Sequence, residues 1–171
     1  GITTVDAENV ISPELKYEGN KLYLIKHTPL ANHMPDTEQL KANWKYVTEQ
    51  IEAEKIVSGY ALGFGGVAEA VCKMSFGNGL DAKIEYDEKE LFNYSYGSIL
   101  VESECELDYP GAVLIGEVTE GEDSELTVNG VKFDLFDLMA ANSARFAQVY
   151  PDTADAYHKA IEPAGLKNSK P

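Results

Sequence analysis

The sequence predicts an α/β (α+β) domain in which helices pack on a layered, mixed β-sheet. Segments with the two-residue period of strands alternate with segments of helical period, in the order strand, helix, strand, helix, strands, hairpin, helix. Residues 21–26 (KLYLIK) and 112–118 (AVLIGEV) are apolar on both faces, which is typical of strands in a covered sheet. Helices that cover a mixed sheet satisfy this order of elements.

The composition is that of a globular protein. With 171 residues, 44% of them hydrophobic and 25% charged, the chain can bury one substantial core, and one domain is expected. The formal net charge of −15 argues against a nucleic-acid partner, because binding to phosphates requires a basic surface. Between Val101 and Glu125 there are nine acidic residues and no lysine or arginine, which predicts a negative face.

Apolar runs and cysteines point to a soluble protein in a reducing compartment. No apolar run is long enough to cross a bilayer and no leader opens the chain, so a cytoplasmic protein without a membrane partner is expected. Cys72 lies in a predicted helix and Cys105 in a predicted strand. Their spacing matches neither a metal site nor a redox motif, which favours ordinary reduced thiols.

The first helix is predicted to follow Asp36, an N-cap residue with Gln39 three positions later. Its apolar stripe, at helical spacing, consists of Leu40, Trp44, Val47 and Ile51. Trp44 lies in the middle of this stripe, so it is expected in the core rather than in a ligand site.

Residues 56–76 (IVSGYALGFGGVAEAVCKMSF) predict a strand, a glycine turn and a helix. Such a turn leaves backbone N–H groups at a helix start. Together with the helix macrodipole, worth about half a unit charge, these donors can hold an anion such as phosphate. The predicted phosphate-binding residues are Gly63, Gly65, Gly66 and Val67. The alternative is that the glycines only permit a tight turn and close helix packing.

Strands follow this helix, which Gly79 is expected to end. A strand is predicted over residues 80–86. Another is predicted over residues 99–107, where apolar and acidic positions alternate and imply one buried and one wet face. The apolar run at residues 112–118 suits an interior strand.

A β-hairpin and a last helix complete the prediction. Residues 126–133 contain the pair Asn129-Gly130, which supplies the positive φ angles of a type I′ turn. Asp134 is expected to cap a helix that continues as far as Pro151.

Candidate catalytic chemistry is sparse. His27, His33 and His158 have no i,i+4 partner and no cysteine nearby in sequence, so each is expected on the surface. No serine lies in the G-x-S-x-G context of a nucleophile elbow. The residues therefore predict no catalytic and no metal-binding group.

One part of the chain resembles a known family. Residues 63–78 (GFGGVAEAVCKMSFGN) resemble the glycine loop and following helix in the C-terminal domain of the aminoimidazole ribonucleotide synthetase superfamily, and within it the phosphoribosylformylglycinamidine synthases. The segments VISPELK and NKLYLIKHTPL before the loop, and LVES and PGAVLIGEV after it, extend the resemblance from about Val10 to Tyr150. The resemblance implies that domain's layered α/β fold.

The family's catalytic loop is altered here. Its catalytic members have a loop like H-D-x-S-D-G-G-L, whose acidic residues lie near phosphates and metal. The matching residues 60–67 are YALGFGGV, with Ala61 and Phe64 in place of the acids. Neither side chain can help to hold Mg²⁺, while Gly65 and Gly66 keep the backbone part of an anion site. This pattern implies a non-catalytic lobe.

Two functions follow from the resemblance. The first is a fragment of the ATP- and glutamine-dependent ligase of purine biosynthesis that makes formylglycinamidine ribonucleotide, with ATP and Mg²⁺ held by the parent enzyme and none bound tightly by this fragment. The second is a non-catalytic nucleotide- or phosphate-binding module of another superfamily member. The fragment alone is expected to be inactive in either case.

The resemblance also implies the domain plan. Residues 1–163 are expected to form one synthetase C-terminal-like domain, with residues 1–9 as a candidate end of a preceding domain. Residues 164–171 (KNSKP at the end) suit a linker toward a downstream domain. The implied partners are a preceding synthetase N-terminal domain, a following glutamine amidotransferase domain of the same chain, and small-molecule substrates.

Overall fold

The protein is described by a computed structural model covering residues 4–120, 124–147 and 149–150. The strands are β1 (Lys21–Ile25), β2 (Ile56–Ala61), β3 (Asp81–Ile84), β4 (Ile99–Ser103), β5 (Ala112–Thr119), β6 (Glu125–Val128) and β7 (Val131–Asp134). The helices are α1 (Thr37–Glu52), α2 (Gly66–Asn78) and α3 (Leu135–Ala144), preceded by a 3-10 helix at Ala7–Asn9. None of these helices is long and apolar enough to cross a membrane.

The chain forms two compact units, residues 1–139 and residues 140–171. The sheet, α1 and α2 all lie in the first unit. The predicted boundary between a domain and a linker at residues 163–164 lies outside the described residues and stays a prediction.

Seven strands form one mixed sheet in the order β2-β4-β1-β5-β3-β6-β7. Every neighbouring pair is antiparallel except β3 and β6, which are parallel. β1 pairs with β4 on one side and with β5 on the other, where a bulge shifts the register between Leu22 and Tyr23. The predicted fold class, a mixed sheet packed with helices, is confirmed.

Strand β1 is apolar on both faces, and helices α1 and α2 cover the two faces of the sheet at this strand. Leu22 and Leu24 pack in one core with Val67 and Met74 of α2, whereas Tyr23 and its neighbour Ile25 pack in a second core with α1. Side chains alternate across a strand, so the two cores lie on opposite faces. Burying one such leucine contributes about 1.5–3 kcal/mol.

Helix α1 begins as predicted but buries a different residue. Asp36 caps it by accepting hydrogen bonds from the backbone N–H groups of Glu38 and Gln39. Trp44, predicted in the core, is 50% exposed, so that prediction is wrong. The neighbouring Asn43 is buried instead.

Asn43 is buried because its amide satisfies two groups at once. Its Nδ2 donates to the backbone oxygen of Lys26 at 3.1 Å, and its Oδ1 accepts from the hydroxyl of Tyr109 at 2.6 Å. A pattern that counts only apolar side chains predicts that the adjacent Trp44 is buried, and it does not detect the burial of Asn43.

Strand β4 carries a buried carboxylate where a wet face was predicted. Glu102 is fully buried, and its Oε2 accepts from the backbone N–H of Lys16 at 2.8 Å. Its Oε1 accepts from the backbone N–H of Tyr17 at 3.0 Å and from Nδ2 of Asn20 at 2.7 Å. The prediction of one wet face is therefore wrong, and part of the predicted negative face points inward.

The ends of two predicted elements also differ. β4 ends at Ser103, so Cys105 lies beyond the strand, on the surface, and not in it as predicted. Helix α3 ends at Ala144, short of the predicted stop at Pro151, which lies outside the described residues. The predicted cap of α3 is confirmed, since Asp134 Oδ1 accepts from the backbone N–H of Asp137 at 3.0 Å.

The predicted hairpin is confirmed in position and turn type. Asn129 and Gly130, between β6 and β7, have φ angles of 50° and 79°, the positive values that a type I′ turn requires.

The substitution Gly130→Val should destabilise the protein through the backbone alone. A Cβ at Gly130 meets no atom within 4 Å, so the cost is that of a β-branched residue at positive φ, about 1–2 kcal/mol. The melting temperature should fall by about 2–8 °C. Gly130→Asn is the control and should lose less, because asparagine tolerates this conformation; equal melting temperatures for the valine variant and the wild type would rule out the turn type.

Replacing Glu102 with glutamine should weaken folding by about 1–3 kcal/mol. One carboxylate oxygen becomes an NH₂ group that faces N–H donors, so at least one buried donor loses its acceptor. Urea unfolding measures the change. The exposed Glu104→Gln is the matched control on the same segment, and equal unfolding midpoints for the two variants would contradict this role of Glu102.

Candidate functional site

The glycine turn joins the end of β2 to the start of α2. Gly66, the first residue of α2, has a φ of +64°. A Cβ there would lie 2.9 Å from the backbone oxygen of Leu91 and would also overlap that of Asn93. Only glycine fits, because the loop between β3 and β4 packs directly on this residue. The alternative explanation, that the glycines only permit a tight turn and close helix packing, therefore accounts for Gly66.

Several backbone N–H groups of the turn already have acceptors within the chain. Gly65 donates to Oε2 of Glu69 at 3.0 Å, and Ala68 donates to the backbone oxygen of Leu91 at 3.0 Å. Gly66 makes a longer contact, 3.4 Å, to the backbone oxygen of Gly63. The carboxylate of Glu69 thus lies where the sequence predicts an anion.

A lysine holds that carboxylate in place, and an aromatic ring contacts the lysine. Lys73 Nζ lies 2.6 Å from Oε1 of Glu69 and 5.8 Å from the ring centroid of Tyr60. The hydrogen bond from Lys73, with a second from the Gly65 amide, lowers the pKa of Glu69. Glu69 in turn raises the pKa of Lys73. Both groups are charged at neutral pH, so the turn carries an internal ion pair.

The two positions that match the family's acids lie on the surface. Ala61 is the exposed last residue of β2, and Phe64 is 80% exposed. Neither offers an oxygen to a metal ion. Across the residues that the structure describes, no cluster of three or more His, Cys, Asp or Glu side chains could hold a metal.

A cavity of about 470 Å³ opens beside the turn. Val67 is the one predicted site residue among its lining residues, and it also belongs to the core beneath α2. Three tyrosines line the cavity: Tyr86, Tyr94 and Tyr96. Lys26 and Glu90 also line it, and Lys26 Nζ lies 2.7 Å from Oε2 of Glu90. The cavity lining thus combines tyrosine rings with proline residues, polar side chains and one ion pair.

His27 forms part of this cavity and is buried, so its predicted surface position is wrong. Its Nδ1 lies 2.9 Å from the backbone oxygen of Tyr96, and its Nε2 lies 3.2 Å from the backbone N–H of Asp36. A carbonyl only accepts and an N–H only donates, so the ring is the neutral tautomer with the proton on Nδ1. His33 is exposed at the cavity, and His158 lies outside the described residues.

Sequence reasoning missed the cavity residues for identifiable reasons. Lys26 and Glu90 are 64 residues apart, and no spacing rule connects them. The signal that could have found the tyrosines is the run FNYSYG at residues 92–97, where three aromatic residues alternate with small or polar ones in a loop. All three aromatic side chains are exposed in the structure.

Neither cysteine adds chemistry to the site. Cys72 and Cys105 are free thiols, as predicted. Burial raises the pKa of Cys72 to about 11, so its thiol is not a nucleophile at neutral pH.

The fold is similar to that of phosphoribosylformylglycinamidine synthase, which confirms the predicted resemblance in fold. The phosphoribosylformylglycinamidine synthase II of Thermotoga maritima superposes with a TM-score of 0.64 at 14% identity, over 77% of this chain and 28% of that one. HypE of E. coli, a hydrogenase maturation protein, superposes with a TM-score of 0.50 at 16% identity, over 72% of this chain and 51% of that one.

A sequence relative agrees with the structural match. The phosphoribosylformylglycinamidine synthase subunit PurL of Lactobacillus delbrueckii subsp. bulgaricus is 32% identical over 109 residues, or 58% of this chain. The chain spans only 15% of that subunit. No protein-family profile matches the sequence.

Proposed function

We propose that the chain is a fragment of a larger, cytoplasmic, ATP-dependent C–N ligase of the phosphoribosylformylglycinamidine synthase type, and that this lobe is a scaffold without activity of its own. The similarity to PurL in sequence and fold supports the parent enzyme. The single observation that carries the inactive role is the pair Ala61 and Phe64, exposed where catalytic relatives have acids.

In this proposal the nucleotide and the metal belong to the parent enzyme. One similar structure is of T. maritima PurL complexed with ATP, which supports a nucleotide in the parent. The residues of the turn do not suit Mg²⁺, because they offer no carboxylate except Glu69, which already pairs with Lys73. The proposed partners are a preceding synthetase N-terminal domain and a following glutamine amidotransferase domain of the same chain.

The glycine turn is proposed as a weak phosphate site that Glu69 occupies. Gly63, Gly65, Gly66 and Val67 surround the start of α2, where N–H donors and the helix dipole favour an anion. A phosphate has to displace the Glu69 carboxylate and approach against its charge. Binding by the wild-type chain should therefore be weak.

Replacing Glu69 with glutamine should strengthen phosphate binding at the turn, because the competing negative charge is removed. Titration with inorganic phosphate, followed by ¹⁵N–¹H chemical shifts, should move the Gly65 and Gly66 signals more in this variant than in the wild type. Glu49→Gln is the matched control, since Glu49 forms an i,i+4 pair with Lys45 in α1. Shifts no larger than those of the control would leave the glycines a purely structural role.

A second function is supported by the superposition on HypE, which shows the same fold in a different protein. The chain would then be a non-catalytic nucleotide- or phosphate-binding module of another superfamily member. The complete coding sequence distinguishes the two functions. An upstream synthetase-type domain together with a downstream amidotransferase nucleophile identifies the ligase, and a coding sequence that adds nothing to this chain in either direction contradicts it.

The chain alone should not release ADP from ATP in the presence of Mg²⁺, formylglycinamide ribonucleotide and ammonia. One wall of a two-domain cleft cannot hold the reactants at bonding distance or exclude water from them. Restoring the acids, with Ala61→Asp and Phe64→Asp together, should not create activity for the same reason. A coupled assay measures ADP, and turnover above a heat-denatured control by either chain would contradict the inactive role.

A further inference from the structure

We propose that the cavity beside the glycine turn is a docking groove for a proline-containing segment of a partner protein, bound in the extended polyproline II conformation and followed by basic residues. Tyr94 and Tyr96 supply the aromatic wall of the groove, and an acidic loop borders it. This goes beyond the proposed function, which gives the cavity no role.

The aromatic wall suits a ridged ligand better than a flat one. Tyr94 and Tyr96 line the cavity and are 67% and 61% exposed. Their ring centroids are 5.9 Å apart and their planes are tilted by 37°, so one flat ring can stack on only one of them. A polyproline II segment instead presents puckered pyrrolidine rings, and such segments dock in grooves that aromatic side chains line.

The cavity also offers the hydrogen-bond donors that such a segment needs. A polyproline II backbone forms no internal hydrogen bonds, so its carbonyl groups require donors from outside. The hydroxyls of Tyr94 and Tyr96 and the side-chain amide of Asn93 line the cavity without a hydrogen-bond partner among the described residues. All three groups can donate. Proline has no N–H, so it requires no acceptor in return.

The backbone of the tyrosine loop, residues 92–97, is already bonded within the chain. The N–H of Ser95 contacts the oxygen of Gly63 at 3.3 Å, and His27 Nδ1 donates to the oxygen of Tyr96 at 2.9 Å. A peptide that adds a β-strand requires open backbone groups, so side chains have to make the contacts here. The same bonds fix the loop, which reduces the conformational entropy lost on binding.

The charge beside the cavity favours basic residues on the ligand. Residues 85–90 (EYDEKE) carry four acids and one lysine, and Tyr86 and Glu90 of this loop line the cavity. Glu90 is paired with Lys26, and this ion pair stays intact in the proposed complex. The other three acids of the loop are exposed, so they attract lysine or arginine at one end of the ligand.

Titration of the wild-type chain with an acetylated Pro-Pro-Pro-Pro-Lys-Lys peptide tests the proposal. The peptide should shift the backbone ¹⁵N–¹H signals of Tyr94 and Tyr96, with a dissociation constant of about 1 mM or tighter. An Ala-Ala-Ala-Ala-Lys-Lys peptide has the same charge but neither the pyrrolidine rings nor the preformed conformation. It should bind about tenfold more weakly.

Variants of the aromatic wall provide the second readout. Tyr94→Ala and Tyr96→Ala should each weaken binding of the proline peptide about fivefold or more, as for a side chain that carries part of an interface. Both side chains are mostly exposed, so folding should not change, and circular dichroism checks this. Tyr17→Ala, which removes a similarly exposed tyrosine away from the cavity, should bind like the wild type.

A Pro-Pro-Pro-Pro peptide without lysine tests the acidic border. It should bind several-fold more weakly than the peptide with lysines. Added salt should weaken the binding of the lysine-containing peptide more than that of the neutral one, because salt screens exposed charges.

Four results would overturn the proposal: no shift of the tyrosine loop at millimolar proline peptide, equal affinity for the alanine peptide, equal affinity of the Tyr94→Ala and Tyr17→Ala variants, or equal affinity for the peptide without lysine. Signals of the tyrosine loop that move when the chain alone is diluted would make a second copy the occupant, which also overturns it. None of these results bears on the phosphate titration of the Glu69→Gln variant or on ADP release, so failure here is distinguishable from failure of the proposed function.

Discussion

A buried carboxylate connects the parts of this structure. An ionised group in a protein interior costs several kcal/mol unless hydrogen bonds replace its water. Glu102 of β4 has three such donors, all from residues 16–20, so the segment that leads into β1 must lie against β4. The preceding residue, Leu15, exchanges backbone and side-chain hydrogen bonds with the end of α2 through Met74 and Asn78. The position of α2, and of the turn at its start, depends on this arrangement.

At the other end of α2 the chain supplies its own anion. The family-like turn keeps its glycines but lacks the acids at Ala61 and Phe64, while a carboxylate four residues into the helix, that of Glu69, bonds to the Gly65 amide. Lys73 neutralises that carboxylate from within the same helix. The charges at the turn are therefore balanced by groups of the chain itself, and the tyrosine-lined cavity lies next to it.

Local patterns in the sequence predicted the elements, whereas partnerships between distant residues escaped them. The hairpin at Asn129-Gly130 and the cap at Asp36 depend on neighbours within four residues, and both are confirmed. Asn43 and Glu102 are buried because they form hydrogen bonds to residues far away in sequence. A prediction from hydropathy does not see these bonds, so it assigned Trp44 to the core and Glu102 to the solvent-exposed face. The glycines of the turn were enough to predict which residues form it. The contact of Glu69 with the Gly65 amide could not be predicted from them, because it depends on the geometry of the helix. The cavity could not be predicted either, because its lining residues come together only in the folded chain.

The one parallel pair among the seven strands of the described sheet, β3 and β6, has a consequence for the edge of the sheet. The hairpin β6–β7 can form from neighbouring residues, but it joins the sheet through partners far away in sequence, as in the bond from the Glu125 N–H to Asp81 across 44 residues. The hairpin thereby covers the edge of β3, whose unpaired backbone groups would otherwise be open to pairing with another chain.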